Sequence, residues 1–233
     1  FMASRTGIIQ PLTDTVTVTD TVAGPIAKTT RPPVTDEIDE AVRCLRAGGV
    51  VAFPTDTLYG LGADVFNTAA LDRVFAIKER TSGMALPVLI DSWNQLEQLT
   101  TNVPARARVL ADAFWPGPLT LVMNKAAGVP NGLTAGAPTV AVRLPDHPIA
   151  RAIMQQFGGP ITGTSANISG GPDPMTLAEL KALLGDRVDY VMTCGPTPRG
   201  TASTIVDITT EPPTPVREGA VPFRRVMKMW SPA

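Results

Sequence analysis

Two short polar pairs, each spaced by one residue, carry the clearest chemical signal in the chain: Lys78-x-Arg80 and Ser165-x-Asn167. Lys78 continues the apolar stripe Leu71, Val74, Phe75 by one helical step, so its ammonium is expected to point inward, with Arg80 at the helix end. Inward cations suit an anionic ligand, although basic residues in a last helical turn can also answer the helix dipole from solvent. Ser165 and Asn167 fall on one side if the strand before them stays extended. Such a loop can hold phosphate oxygens or a base edge, or close as an ordinary Asx/Ser turn. The stretch from Phe53 to Gly62, with Thr55, Asp56 and Thr57, offers hydroxyls, a carboxylate and glycines after a buried strand, as a tight turn also would. Arg143 ends the apolar run Thr139-Val140-Ala141-Val142, where a guanidinium needs a carboxylate or phosphate from protein or ligand. Ser203-Thr204-Ile205-Val206-Asp207 and Arg217 belong to the same group of strand-end residues.

Several chemistries are not written in the chain. A GxxxxGK[ST] loop is missing, so a nucleotide site would not be of Walker type, and neither HExxH nor GxSxG occurs. The single histidine, His147, rules out a multi-histidine metal site and argues against triad catalysis, because it is expected to sit in the capping region of a helix. Cys44 and Cys194 have no CxxC spacing and suit a reducing cytoplasm, and no signal peptide is evident. A net charge of −1 argues against a wide phosphate-gripping surface. With 44% hydrophobic and 18% charged residues the chain is an ordinary globular one, and its apolar runs are strand-sized, which predicts no membrane span.

These residues are positioned by interleaved helices and strands, which predicts an α/β fold with a mixed sheet. Residues 1–33 read as an arm or linker, with weak alternation over Thr13–Val18; 34–222 read as the main folded domain; 223–233 read as a polar C-terminal tail. Thr35 is the expected N-cap of the first helix, ahead of the apolar face Ile38, Ala41, Val42, Leu45. Strands are expected at 50–53, 86–90, 119–123, 139–144, 160–164, 190–193, 203–209 and 215–217.

Taken in order, six landmarks resemble the YrdC-type family of L-threonylcarbamoyladenylate synthases. They are Phe53 to Ala63, Lys78-x-Arg80, Trp115-Pro116-Gly117-Pro118-Leu119-Thr120-Leu121, Val140 to Pro148, Ser165 to Gly170, and Ser203 to Asp207. The resemblance spans about residues 36–220. It implies a single domain whose twisted, mostly open sheet makes a concave basic cleft. There threonine and bicarbonate would form a carbamate that attacks the α-phosphate of ATP, with pyrophosphate leaving and Mg2+ held by phosphate and water. It also implies catalytic roles for Lys78 and Arg80, which with Thr139, Asn167 and Arg217 would contact ATP. Thr57, Arg143, Ser165 and Ser203 would contact threonine, with Arg143 suited to the carboxylate. Implied partners are proteins that transfer the threonylcarbamoyl group to tRNA.

The chain departs from the family pattern at Thr81, where proline is usual, at Thr164, where proline or serine is, and at Met84, Leu89 and Met175, which replace polar groups usual at those places. Two rival readings remain open: an RNA-binding module of the same fold with weak direct RNA contact, and a paralogue forming a carbamoyl-adenylate. Only 5% aromatic residues and no stacking stripe argue against the first. The second, and longer synthases, usually carry extra domains, for which 233 residues leave no expected room.

Overall fold

The computed structural model describes residues 33–80 and 83–231. The arm read at 1–33, except for Pro33, and the departure at Thr81 lie outside them. Helix α1 (Pro33–Arg46) starts two residues before the expected cap at Thr35, because proline at the first helical position gives up an N–H that has no intrahelical partner. Its face Ile38, Ala41, Val42, Leu45 is buried as expected, and it packs against α6 (Pro148–Phe157).

Two mixed sheets carry the chain. One has the order β7 (Thr164–Ser165), β2 (Tyr59–Gly62), β1 (Val51–Pro54), β8 (Tyr190–Val191). The other runs β10 (Thr214–Arg217), β9 (Thr204–Asp207), β4 (Leu119–Asn124), β5 (Thr139–Arg143), β3 (Val88–Leu89), β6 (Ile161–Thr162). β1 runs antiparallel to β2 and parallel to β8, while β4 runs antiparallel to β5 and parallel to β9. The strand expected at 160–164 is divided between the sheets at Gly163, where an added Cβ would lie 2.3 Å from Leu89 Cγ. That close approach lets the backbone pass from one sheet to the other, and a cleft opens beside it.

Strand periodicity decides which side chains face this cleft. Leu119, Leu121 and Met123 of β4 and Val140 and Val142 of β5 enter the main core. Their neighbours Thr120, Val122, Thr139, Ala141 and Arg143 line the cleft instead. The flanking helices are α2 (Thr68–Ile77), α3 (Trp93–Glu97), α4 (Ala105–Phe114), α5 (Asn131–Thr134), α7 (Leu177–Leu184) and α8 (Phe223–Trp230). Among the described residues, no helix is long and apolar enough to cross a membrane.

The stretch between β4 and β5 contains the short helix α5. One reading needs correction. The supposed polar tail is α8: Val226 and Trp230 are buried, Trp230 Nε1 donates to Glu211 Oε1 at 2.9 Å, and Arg225 covers the Phe114 ring of α4. Its basic residues mask an apolar face at helical spacing, Phe223, Val226 and Trp230.

Candidate functional site

The end of α2 brings the first polar pair inward. Val74, Phe75 and Ile77 anchor the helix in the core. It ends in a Schellman arrangement, with Arg80 N–H donating to Phe75 O at 3.0 Å and Glu79 N–H to Ala76 O at 3.1 Å. Glu79 takes the left-handed conformation there, with φ of 51°. The reversal leaves Lys78 and Arg80 lining the same cavity, while Glu79 pairs outward with Arg187 at 2.6 Å.

Lys78 is 2% exposed, as the apolar stripe predicts. Its Nζ donates to Ser165 O at 2.6 Å, Asn167 Oδ1 at 2.7 Å and Asn167 O at 3.0 Å. Burial, and then the neighbouring Arg80 charge, bring its pKa down to about 8, with Asp173 opposing. Ser165 Oγ donates to Asn167 Oδ1 at 3.0 Å, and Asn167 Nδ2 donates to Gly171 O at 2.9 Å. The two polar pairs therefore form one network. Arg80 is held more loosely, through one bond from Nη2 to Ala85 O at 3.2 Å.

A second wall centres on Arg143, at the end of β5. The carboxylate it requires is supplied by Asp56, through Nη2 and Oδ1; both residues are 5% exposed. Nη1 donates to Thr57 Oγ1 at 2.8 Å, and Nε donates to Gly117 O at 3.0 Å. Burial lowers the guanidinium pKa and the Asp56 charge opposes that shift. Gly117 is shaped for its role, since a Cβ there would lie 2.5 Å from Phe114 O. Thr55 Oγ1 donates to Leu58 O at 2.7 Å and therefore accepts from the Thr57 hydroxyl, 3.0 Å away.

On the third wall Arg217 donates from Nη2 to Ser203 O at 2.9 Å and to Ser203 Oγ at 3.2 Å. Ser203 Oγ is also 2.9 Å from Thr120 Oγ1. Thus Thr57, Lys78, Arg80, Thr139, Arg143, Ser165, Asn167, Ser203 and Arg217, all named from the sequence, line one cavity of about 470 Å³. Among its described lining residues four are cationic and none is a carboxylate. Met84 and Leu89 also line it, whereas Met175 stands outside, over Gly200.

Gly117, Thr120 and Ser169 were not singled out as site residues, and Asp56 was named only as the carboxylate of its turn, without its partner. Asp56 and Gly117 sit inside recognised landmarks, but their partner Arg143 is 87 and 26 residues away, so no local spacing marks them. His147 is at the N-cap position of α6 but makes no side-chain cap there; it is buried, with Nε2 3.2 Å from Pro196 O. Burial holds its imidazole below the ordinary value. No group of three or more His, Cys, Asp or Glu suited to a metal occurs among the described residues.

Fold and site together define an α/β protein that gathers cations, an amide and hydroxyls in one cleft suited to an anionic ligand. The chain belongs to the Sua5/YciO/YrdC family, described as "Telomere recombination", which matches residues 43–219. It is 40% identical over 185 residues to the threonylcarbamoyl-AMP synthase of Pyrococcus abyssi, covering 79% of this chain and 54% of that protein. The Coxiella burnetii threonylcarbamoyl-AMP synthase is 36% identical over 169 residues, covering 72% of this chain and 91% of that protein. The crystal structure of P. abyssi Sua5 complexed with L-threonine superposes with a TM-score of 0.80 at 40% identity, covering 82% of this chain and 56% of the other. E. coli YciO gives 0.75 at 28% identity, covering 83% and 94%. The chain thus spans about half the length of the P. abyssi relative and nearly all of the C. burnetii one.

Proposed function

We infer that the protein is a threonylcarbamoyl-AMP synthase, converting L-threonine, bicarbonate and ATP to threonylcarbamoyl-AMP, pyrophosphate and water, for modification of tRNA. The observation that carries this reading is the convergence of Lys78 and Arg80 with Ser165 and Asn167 in the same cleft as Arg143 and Arg217. The relatives named threonylcarbamoyl-AMP synthase support it.

In this reading Arg80, Thr139, Asn167 and Arg217 contact the nucleotide, and Thr57, Arg143, Ser165 and Ser203 contact threonine. A guanidinium has five N–H groups and Arg143 spends three on Gly117, Thr57 and Asp56, leaving one on each terminal nitrogen for a substrate carboxylate. The chemistry needs no covalent nucleophile. Fixed cations in a sheltered cleft hold the triphosphate in line with the carbamate oxygen and stabilise the charge that grows on the leaving pyrophosphate. The described lining residues offer a divalent ion no carboxylate, so Mg2+ would enter with ATP, held by phosphate and water. The protein would work in the cytoplasm and pass its product to proteins acting on tRNA.

Pyrophosphate release tests this reading directly. Release is expected to require both threonine and bicarbonate and to be lost when serine or glycine replaces threonine. Release driven by carbamoyl phosphate without threonine would favour the carbamoyl-adenylate reading. Salt-dependent RNA binding with no turnover would favour an RNA-binding module.

A further inference from the structure

The two basic side chains at the end of α2 have different amounts of bonding capacity left. An ammonium has three N–H groups. Those of Lys78 are matched by three carbonyl oxygens, from Ser165 and Asn167 backbone and the Asn167 side chain. A bond to a ligand would require breaking one of them. Arg80 is the reverse case: among the described residues it makes one hydrogen bond, to Ala85 O, and its buried Nε has no partner.

A second unpaired buried atom faces the same cavity. Ser169 Oγ has no partner among the described residues, and Ser169 is held beside the helix end because its N–H donates to Lys78 O at 2.9 Å. Six side chains among the described residues carry such a buried unpaired atom, and of these only Arg80 and Ser169 line the cavity. Buried donors left unpaired are costly, so a guanidinium N–H and a hydroxyl facing one cleft mark a place for an acceptor-rich, anionic group.

We propose that the two cations divide the work: Lys78 is a positioning residue that holds the Asn167 carboxamide, while phosphoryl oxygens of the nucleotide rest on Arg80 and the Ser169 hydroxyl. This rests on the adenylate-forming reading. Lys78 and Ser165 both donate to Asn167 Oδ1, and Gly171 O takes one Nδ2 hydrogen, so the amide is fixed with one N–H left for the ligand. The motif lysine thus acts through the motif asparagine.

The test uses the full chain, calorimetric binding of inorganic pyrophosphate, and steady-state kinetics. Ser169→Ala is expected to weaken pyrophosphate binding and raise the KM for ATP about tenfold, leaving the KM for threonine and the melting temperature unchanged. In a cycle of Lys78→Met and Asn167→Ala, the double variant is expected to bind pyrophosphate no more weakly than the worse single variant. Multiplied losses in that cycle, or unchanged pyrophosphate affinity in Ser169→Ala, would overturn the proposal. If Lys78→Met does not fold, Ser169→Ala decides alone. Failure of the wild-type chain to bind pyrophosphate would instead strike the adenylate-forming reading.

Discussion

Lys78 Nζ lies 2.7 Å from the carboxamide oxygen of Asn167, a residue 89 positions away in the sequence. That bond ties the end of α2 to the loop after β7. It also makes the protonation state of Lys78 a property of the whole cleft, because a neutral amine has only two N–H groups for three carbonyl oxygens.

The pH dependence follows from this. Burial sets the Lys78 pKa at about 8, so kcat/KM is expected to fall as pH rises through that value in the free enzyme. ATP phosphates favour the charged form, and saturating ATP should move the alkaline limb upward. Stability runs the other way. The folded pKa lies below the ordinary 10.5, so the cost of burying the charge is fully present below about 8 and is relieved as pH rises towards 10.5. The Lys78 contribution to stability should therefore rise over the window in which activity falls. Parallel pH–rate and melting profiles, with Lys78→Met as the reference for stability, check both signs. An alkaline limb that coincides with melting would refute the assignment.

Arg80→Ala should remove a ligand contact at little structural cost. Arg80 is half-buried and, among the described residues, bonds only the Ala85 carbonyl. Threonine-dependent pyrophosphate release is expected to drop by about 100-fold, the scale of a lost charged hydrogen bond in a sheltered site. The melting temperature should stay within about 2 °C of wild type. Wild-type-like turnover in the purified variant would remove Arg80 from the site.

Local periodicity made much of the site legible. The helical stripe through Leu71, Val74 and Phe75 pointed Lys78 inward, and strand alternation placed Ser165 and Asn167 on one side. What stayed hidden depends on distant partners. Arg143 plainly required an anion, but the sequence offers no spacing that selects Asp56 or the Gly117 carbonyl. The passage of 161–165 between two sheets depends on Leu89 packing against Gly163, a contact across 74 residues that periodicity does not report. In α8, Arg224, Arg225 and Lys228 outweighed an apolar face whose burial is decided by α4.

Removing Asp56 tests how the buried pair is built. Asp56→Ala leaves the Arg143 guanidinium buried with only Thr57 and Gly117, which is expected to cost about 3–5 kcal/mol in stability. Adding Arg143→Met removes the stranded charge and should recover most of that loss, because an apolar replacement of a buried pair is often close to neutral. Activity should not return, since the double variant has no cation for the threonine carboxylate. Denaturant unfolding of the wild type, Asp56→Ala, Arg143→Met and the double variant measures the coupling. Additive losses would mean that the two side chains do not stabilise one another.

Glu79 separates conformation from charge at the point where α2 ends. Its φ of 51° is a region that costs a side-chain-bearing residue about 1–2 kcal/mol and glycine almost nothing. Its ion pair with Arg187 is exposed and can return only a small part of that cost. The backbone reversal, not the carboxylate, is what puts Lys78 and Arg80 into the same cleft. Glu79→Gly is therefore expected to raise stability by up to about 1 kcal/mol, after allowing for glycine's extra unfolded-state entropy, and to leave turnover unchanged. Glu79→Val should do the opposite, because a β-branched side chain tolerates this backbone poorly: it should melt earlier and lose pyrophosphate release as the reversal opens. Equal activity in the glycine and valine variants would show that the Lys78-x-Arg80 geometry does not depend on this turn.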